Sequence, residues 1–286
     1  MARRKDNVAT TWSSVATQTL TAGGIEFPYR ELGPRGDTPV VFLTHLAAVL
    51  DNWDPRIVDG VAATRHVITF DNRGVGAATG KTPTTIEEMA ADAVKFIRAL
   101  GHDMVDLFGF SMGGMIAQII AETDPGLVRR LALAGTGPAG GEGIDKVTAI
   151  TYLDTFRSII GRTDPKEFLF FTRTAHGRKQ AAAFLQRLAE RTTDRDEEIT
   201  ISVLRRQLKA IHGWGARAPQ DLSRITIPVL LANGDHDRMV PTSNTYDMDR
   251  RFPNSRIVVY PDAGHGGVFQ EHETFVPTLV EFLSAP

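Results

Sequence analysis

The chain has 286 residues, 42% of them hydrophobic, enough apolar material for one large core with an insertion carried on it. Its formal net charge is −2 with acids and bases interleaved, so nothing draws it to nucleic acid or to an anionic membrane surface. It contains no cysteine, which excludes disulfides, thiolate nucleophiles and cysteine-based metal sites together. The first seven residues are basic, but Val8 to Thr19 is too polar for the apolar segment of a secretion signal. No run approaches the ~20 apolar residues of a membrane span. A cytoplasmic globular protein is the expectation.

Taken in order, strand-like and helix-like segments alternate. Val15 to Glu31 alternates around Gly23-Gly24 and predicts an antiparallel hairpin at a sheet edge. Pro39 to His45 is a continuous apolar run ending in polar residues, the pattern of a central parallel strand, and His66 to Asp71 repeats it. Thr84 to Leu100 reads as a helix with a capping box at Thr84 and Glu87, an apolar stripe through Ile86, Met89, Ala90, Ala93 and Ile97, and a stop at Gly101. Met104 to Phe110 reads as a short buried strand and Met112 to Thr123 as a buried helix, ended by Asp124-Pro125-Gly126. Val128 to Ala134, Ile227 to Ala232 and Arg256 to Tyr260 are strand-like. Phe269 to Leu283 closes the chain as a helix that Pro277 is expected to kink or restart.

This alternation predicts an α/β protein with a mostly parallel central sheet flanked by helices. From Gly135 to about Leu222 no strand interrupts helix-like text. That stretch holds Phe156, Phe168, Phe170, Phe171, Phe184 and Trp214, read as the insertion's own core with one or two rings facing a pocket. The expected division is a core from residues 1–136 and 223–286 with a helical cap over 137–222.

The chemistry gathers around Gly109-Phe110-Ser111-Met112-Gly113, between the strand ending at Phe110 and the helix beginning at Met112. A serine on that turn points its hydroxyl away from both elements, and the flanking glycines leave room where strand and helix crowd together. Such a hydroxyl is a poor nucleophile without a base, and the base needs an orienting acid. His265 lies in the Gly-rich loop Asp262-Ala263-Gly264-His265-Gly266-Gly267, directly after a strand. Gly234-Asp235-His236-Asp237 follows another strand and offers two acids, Asp235 and Asp237. The chain order serine, aspartate, histidine is the order that accompanies a nucleophile elbow.

These pieces, with Thr44-His45 after the third strand, Asp71-Asn72-Arg73-Gly74-Val75-Gly76 and Gly234 to Pro241, resemble the α/β-hydrolase family over nearly the whole chain outside the cap. The likeness is greatest to the branch of small esterases, enol-lactonases and cofactor-free haloperoxidase-like enzymes. The resemblance implies that Asp237 is the acid, Asp235 being its competitor, and that Asp71 and Arg73 hold structure. It also implies an oxyanion hole of backbone amides: Met112 with Ala47, or Leu46 in its place. The family has Gly directly after the histidine where this chain has Leu46, a departure that matters only if that position needs positive φ. Trp53 is read as packing, Asp51 and Asn52 as pocket-lining, and His236 and His272 as solvated.

The implied reaction is cleavage of a small apolar carboxylic ester or lactone through an acyl-enzyme on Ser111, without cofactor or metal. Two readings stand beside it: a non-hydrolytic enzyme using the same residues (a lyase, cofactor-free oxygenase, haloperoxidase or perhydrolase), and a ligand receptor. The chain carries too few spaced glycines for a dinucleotide fingerprint and no phosphate-binding Gly-Lys-Ser/Thr.

Overall fold

A computed structural model describes residues 10–285; the basic first residues lie outside that range. In chain order the elements are β1 (Gln18–Ala22), β2 (Ile25–Leu32), β3 (Val40–Leu43), α1 (Pro55–Ala62), β4 (Val67–Phe70), α2 (Ile86–Ala99), β5 (Val105–Phe110), α3 (Met112–Thr123) and β6 (Val128–Ala134). There follow α4 (Val147–Gly161), α5 (Pro165–Phe170), α6 (Ala175–Leu188) and α7 (Ile201–Gly215). Then come β7 (Val229–Gly234), α8 (Ser243–Arg251), β8 (Ser255–Tyr260), α9 (Gly267–Gln270) and α10 (His272–Ser284).

The eight strands form one sheet in the order β1-β2-β4-β3-β5-β6-β7-β8. Only β1 with β2 and β2 with β4 pair antiparallel; every later pair is parallel. The protein is therefore an α/β-hydrolase fold with a mostly parallel sheet covered by helices. The apolar runs are continuous because both faces are buried. Along β3, Val41 and Leu43 enter the core shared with α2 and α3, while Val40 and Phe42 enter the core shared with α1 and α10. Parallel connections carry the intervening helices back over the faces, so the loops after β3 to β8 open at the same rim.

Several local details depart from the sequence expectation. The cap of α2 is Thr85, whose side chain accepts from Glu88 N–H, one residue later than the Thr84 box. The closing helix breaks at Glu271, and α10 then runs unbroken through Pro277. Pro277 and Glu273, whose carbonyl loses its helical partner there, both lie at the exposed face, where that carbonyl is open to solvent. Asp106 sits fully buried in the middle of β5, where Arg65 (2.8 Å) and Arg129 (2.6 Å) hold its carboxylate. Between β6 and β7 lie the four helices α4 to α7 and no strand. Among the described residues no helix is long and apolar enough to cross a membrane.

Candidate active site

Three loops meet at the carboxyl rim of the sheet, after β5, β7 and β8. Ser111 stands between β5 and α3 at φ 56°, ψ −118°, a conformation that L-residues rarely adopt and that surrounding packing must impose. The neighbours show how. A Cβ on Gly109 would lie 2.6 Å from the Gly114 Cα, and one on Gly113 would overlap the Leu43 carbonyl of the adjacent strand. Strand and helix thus close on each other, and the serine between them is thrust outward.

Ser111 Oγ lies 2.9 Å from His265 Nε2, and His265 Nδ1 lies 2.8 Å from Asp237 Oδ2. The acceptor at Nδ1 is a carboxylate, so the neutral ring carries its proton there and turns a lone pair toward the serine hydroxyl. The other Asp237 oxygen accepts the N–H groups of Met239 (2.8 Å) and Val240 (3.0 Å), which fixes the carboxylate's plane. All three residues are buried. Asp235 is turned away: its carboxylate meets His236 and Ala263 N–H and is exposed. Of the two acids open in the sequence, Asp237 is the one beside the imidazole.

Glycines flank His265 because α5 presses on its loop. A Cβ on Gly264 would come within 2.7 Å of the Phe170 carbonyl oxygen, and one on Gly266 within 2.8 Å of the Phe170 Cβ. The Phe170 ring also packs against His265 at 5.6 Å, beside Phe110 at 5.2 Å.

The turn after β3 lies next to the serine because Leu43 pairs with Gly109 in the sheet. Met112 N–H, the first of α3, and Leu46 N–H donate to no atom among the described residues. Ala47 differs from the sequence expectation. Its N–H donates to Gln207 Oε1 at 2.8 Å, and Ala47 rather than Leu46 adopts the positive φ, 58°. Of the three amides weighed from the sequence, those of Met112 and Leu46 are therefore the free ones.

Ser111 and His265 open into a cavity of ≈ 450 Å³ between the rim and helices α4, α5 and α7. Met115, Val147, Leu204, Ile211 and Met239 make one side apolar; Phe170 is the insertion aromatic that reaches it. Asp51, Asn52, Arg195 and Asp196 make the other side polar. There Arg30, fully buried on β2, donates to Asp51 (2.7 Å) and Asp196 (3.2 Å), while each aspartate accepts the other's backbone N–H. Burial pushes the Asp196 carboxyl up to about 6 against the pull of Arg30. His45, beside Leu46, is held down to about 3 by burial, so its ring is neutral and its Nδ1–H donates to the Leu46 carbonyl.

Other residues weighed from the sequence lie apart from the relay. Asp71 accepts Leu50 N–H, with its pKa raised well above the ordinary value by burial, and Arg73 pairs with Asp92 at 2.6 Å. Trp53 is buried edge-on against Phe42. His236 is exposed, and His272 faces the Phe269 carbonyl. The sequence reading missed Gln207, Arg30 and Asp196. Gln207 alone left a trace, as a polar residue on the stripe Val203, Leu208, Ile211, Trp214 that α7 buries.

Comparison with known proteins places the chain in a family. A family model described as the alpha/beta hydrolase fold matches residues 38–272. A solved structure of an alpha/beta hydrolase fold protein from Chitinophaga pinensis superposes with a TM-score of 0.91 at 36% identity, covering 97% of this chain and 100% of that one. A pimeloyl-[acyl-carrier protein] methyl ester esterase of Aliivibrio salmonicida is 26% identical over 236 residues, covering 81% of this chain and 86% of that one. A non-heme chloroperoxidase of Streptomyces lividans is 24% identical over 276 residues, covering 93% and 98%. The chain belongs to the alpha/beta hydrolase family.

Proposed function

We propose that this protein is a serine hydrolase that cleaves a small apolar carboxylic ester or lactone through an acyl-enzyme. The observation that carries the reading is the unbroken relay from Ser111 through His265 to Asp237, at 2.9 and 2.8 Å, facing a cavity lined in part by Leu46, whose N–H, like that of Met112, has no acceptor among the described residues. Ser111 Oγ attacks the carbonyl carbon while His265 Nε2 takes its proton. The carbonyl oxygen becomes an oxyanion, which Met112 N–H and Leu46 N–H stabilise; Ala47, whose amide is committed to Gln207, has no part in it. The partial positive charge at the start of α3 adds to the pull on that oxygen. His265 then protonates the leaving alkoxide, and the acyl group stays on Ser111. Water enters and attacks the acyl carbon as it gives a proton to His265, which then passes that proton to Ser111 Oγ as the C–O bond breaks, releasing the acid and the free serine. Asp237 holds the imidazole and stabilises its cation.

In this reading residues 137–222 act as a cap, and the sheet domain comprises 1–136 and 223–286, of which residues 1–9 and 286 lie outside the described range. The apolar wall formed by Met115, Leu204 and Ile211 suits an acyl chain or an aromatic alcohol. Similarity to a non-heme chloroperoxidase favours one second reading. The same acyl-enzyme could be intercepted by hydrogen peroxide instead of water, which yields a peracid.

The test is turnover of p-nitrophenyl acetate, butyrate and octanoate with Ser111→Ala alongside the parent, and mass-spectrometric detection of a Ser111 adduct with a fluorophosphonate. Turnover and labelling should both vanish in the variant. An unlabelled parent, or an alanine variant that retains the parent's rate, contradicts the reading. Monochlorodimedone halogenation with peroxide and acetate, lost in the same variant, separates the perhydrolase outcome.

A further inference from the structure

The peptide unit between Leu46 and Ala47 is gripped at both ends. Its carbonyl accepts His45 Nδ1–H at 2.8 Å, and its N–H donates to Gln207 Oε1 at 2.8 Å. The first partner is the preceding side chain, whereas the second arrives from α7, 160 residues further along. Both are buried, Gln207 completely.

The grip opposes a specific motion. Ala47 sits at φ 58°, a region its Cβ disfavours. Rotating the Leu46–Ala47 peptide plane would take Ala47 out of that region and would break both hydrogen bonds. The Leu46 N–H belongs to the adjoining peptide, so its direction depends on the turn keeping its present shape.

Gln207 is also an expensive residue for packing alone. It interrupts the buried face of α7, and its Nε2 has no partner among the described residues. A buried donor without an acceptor lowers stability, so an apolar side chain of the same length would pack there at least as well. The one bond that Gln207 does make ends on the turn beside Ser111.

We propose that Gln207 is a positioning residue for the oxyanion turn: acting through Ala47, it keeps the Leu46 amide aimed beside that of Met112, so the turn is complete only while α7 is seated. This rests on the reading of Leu46 and Met112 as oxyanion donors. The helical insertion then does more than enclose substrate, because one of its helices helps to hold the machinery on the sheet.

The experiment compares Gln207→Met, which keeps length but loses the acceptor, with Gln207→Glu, which keeps an oxygen for Ala47 N–H. Steady-state kinetics on p-nitrophenyl butyrate, thermal melting, and hydrogen exchange of the 44–48 amides without substrate are read on each. Losing a whole oxyanion donor costs about 10²–10³ in rate, so a misaimed one should lower kcat about 10- to 100-fold in Gln207→Met, with KM within about two-fold. Its melting temperature should shift by only a few degrees, because an unpaired Ala47 N–H replaces the unpaired Gln207 Nε2, and exchange at 44–48 should rise about tenfold. Gln207→Glu should return kcat to within about five-fold of the parent.

A Gln207→Met protein with parental kcat and parental exchange overturns the proposal. So does one whose activity falls only in step with its melting temperature, or a Gln207→Glu no better than the methionine variant. Fluorophosphonate labelling of the parent separates this from the hydrolase reading. Were the parent unlabelled at Ser111, exchange at 44–48 would still decide whether Gln207 holds the turn.

Discussion

Gly266 N–H donates to the Phe170 carbonyl at 2.8 Å, so the loop that carries His265 hangs on helix α5 of the insertion. That contact is possible only because Gly266 lacks a Cβ, which would lie 2.8 Å from the Phe170 Cβ. Gly266→Ala should therefore push α5 and the histidine loop apart. The expected cost is about 1–3 kcal/mol in urea denaturation, as for other overpacked sites. The drop in kcat should exceed the drop in folded fraction, because His265 itself is displaced. An alanine variant with parental kcat would show that the loop does not depend on this contact.

The two acids of Gly234-Asp235-His236-Asp237 should separate cleanly. Only Asp237 meets the His265 ring, at 2.8 Å. Asp237→Asn replaces the acceptor with a group that can present N–H to Nδ1 and so favours the wrong tautomer. In the protease triad used as the general template that change costs about 10⁴ in kcat, and a loss of that order is expected here. Asp235→Asn should leave kcat within about three-fold, since its carboxylate is exposed and pairs with His236. Comparable losses in both would remove Asp237 from its role.

Backbone strain at Ser111 gives a stability signature independent of activity. At φ 56°, ψ −118° a Cβ is unfavourable, so Ser111→Gly should be more stable than Ser111→Ala by about 1 kcal/mol. Both variants lack the hydroxyl, and chemical denaturation of the pair reads the difference. Equal midpoints, with equal slopes, would mean that the elbow is unstrained.

The polar wall of the cavity should loosen as pH rises through 6. Asp196 has a carboxyl pushed up to about 6 by burial, against an ordinary value of 3.8. Between those values the folded protein holds a proton that the unfolded chain has released. That stabilisation is complete below about pH 4 and is lost as pH climbs past 6. The groups facing it are Arg30 and Asp51, with Arg191 and Arg195 both 3.5 Å from Asp51. Hydrogen exchange over residues 190–200, corrected for intrinsic rates, should be faster at pH 7.5 than at pH 5. Asp196→Asn, neutral throughout, should flatten that dependence; an unchanged slope would assign it to another group.

The central sheet and the elbow were legible because the signals are local. Helix α3 spans Met112–Thr123 and β6 spans Val128–Ala134, as their apolar runs predict. Errors of detail have equally local causes. Thr84 and Thr85 are both competent caps, and the turn geometry selected Thr85. Pro277 reads as a breaker, but at an exposed position the helix loses one hydrogen bond to water and continues. Asp106 contradicts the apolar pattern of β5, and nothing near it in sequence announces Arg65 or Arg129.

The sequence by itself determined the serine's perch: strand, crowding glycines and helix lie within twenty consecutive residues, and sterics at that range leave few alternatives. Only the tertiary structure decided which carboxylate reaches the imidazole and which amide after β3 is left free. The first choice depends on a loop 28 residues from His265, the second on Gln207, 160 residues from Ala47. Such pairings follow from how helices seat on the sheet. Many side chains share in that packing, and no short stretch of sequence encodes it.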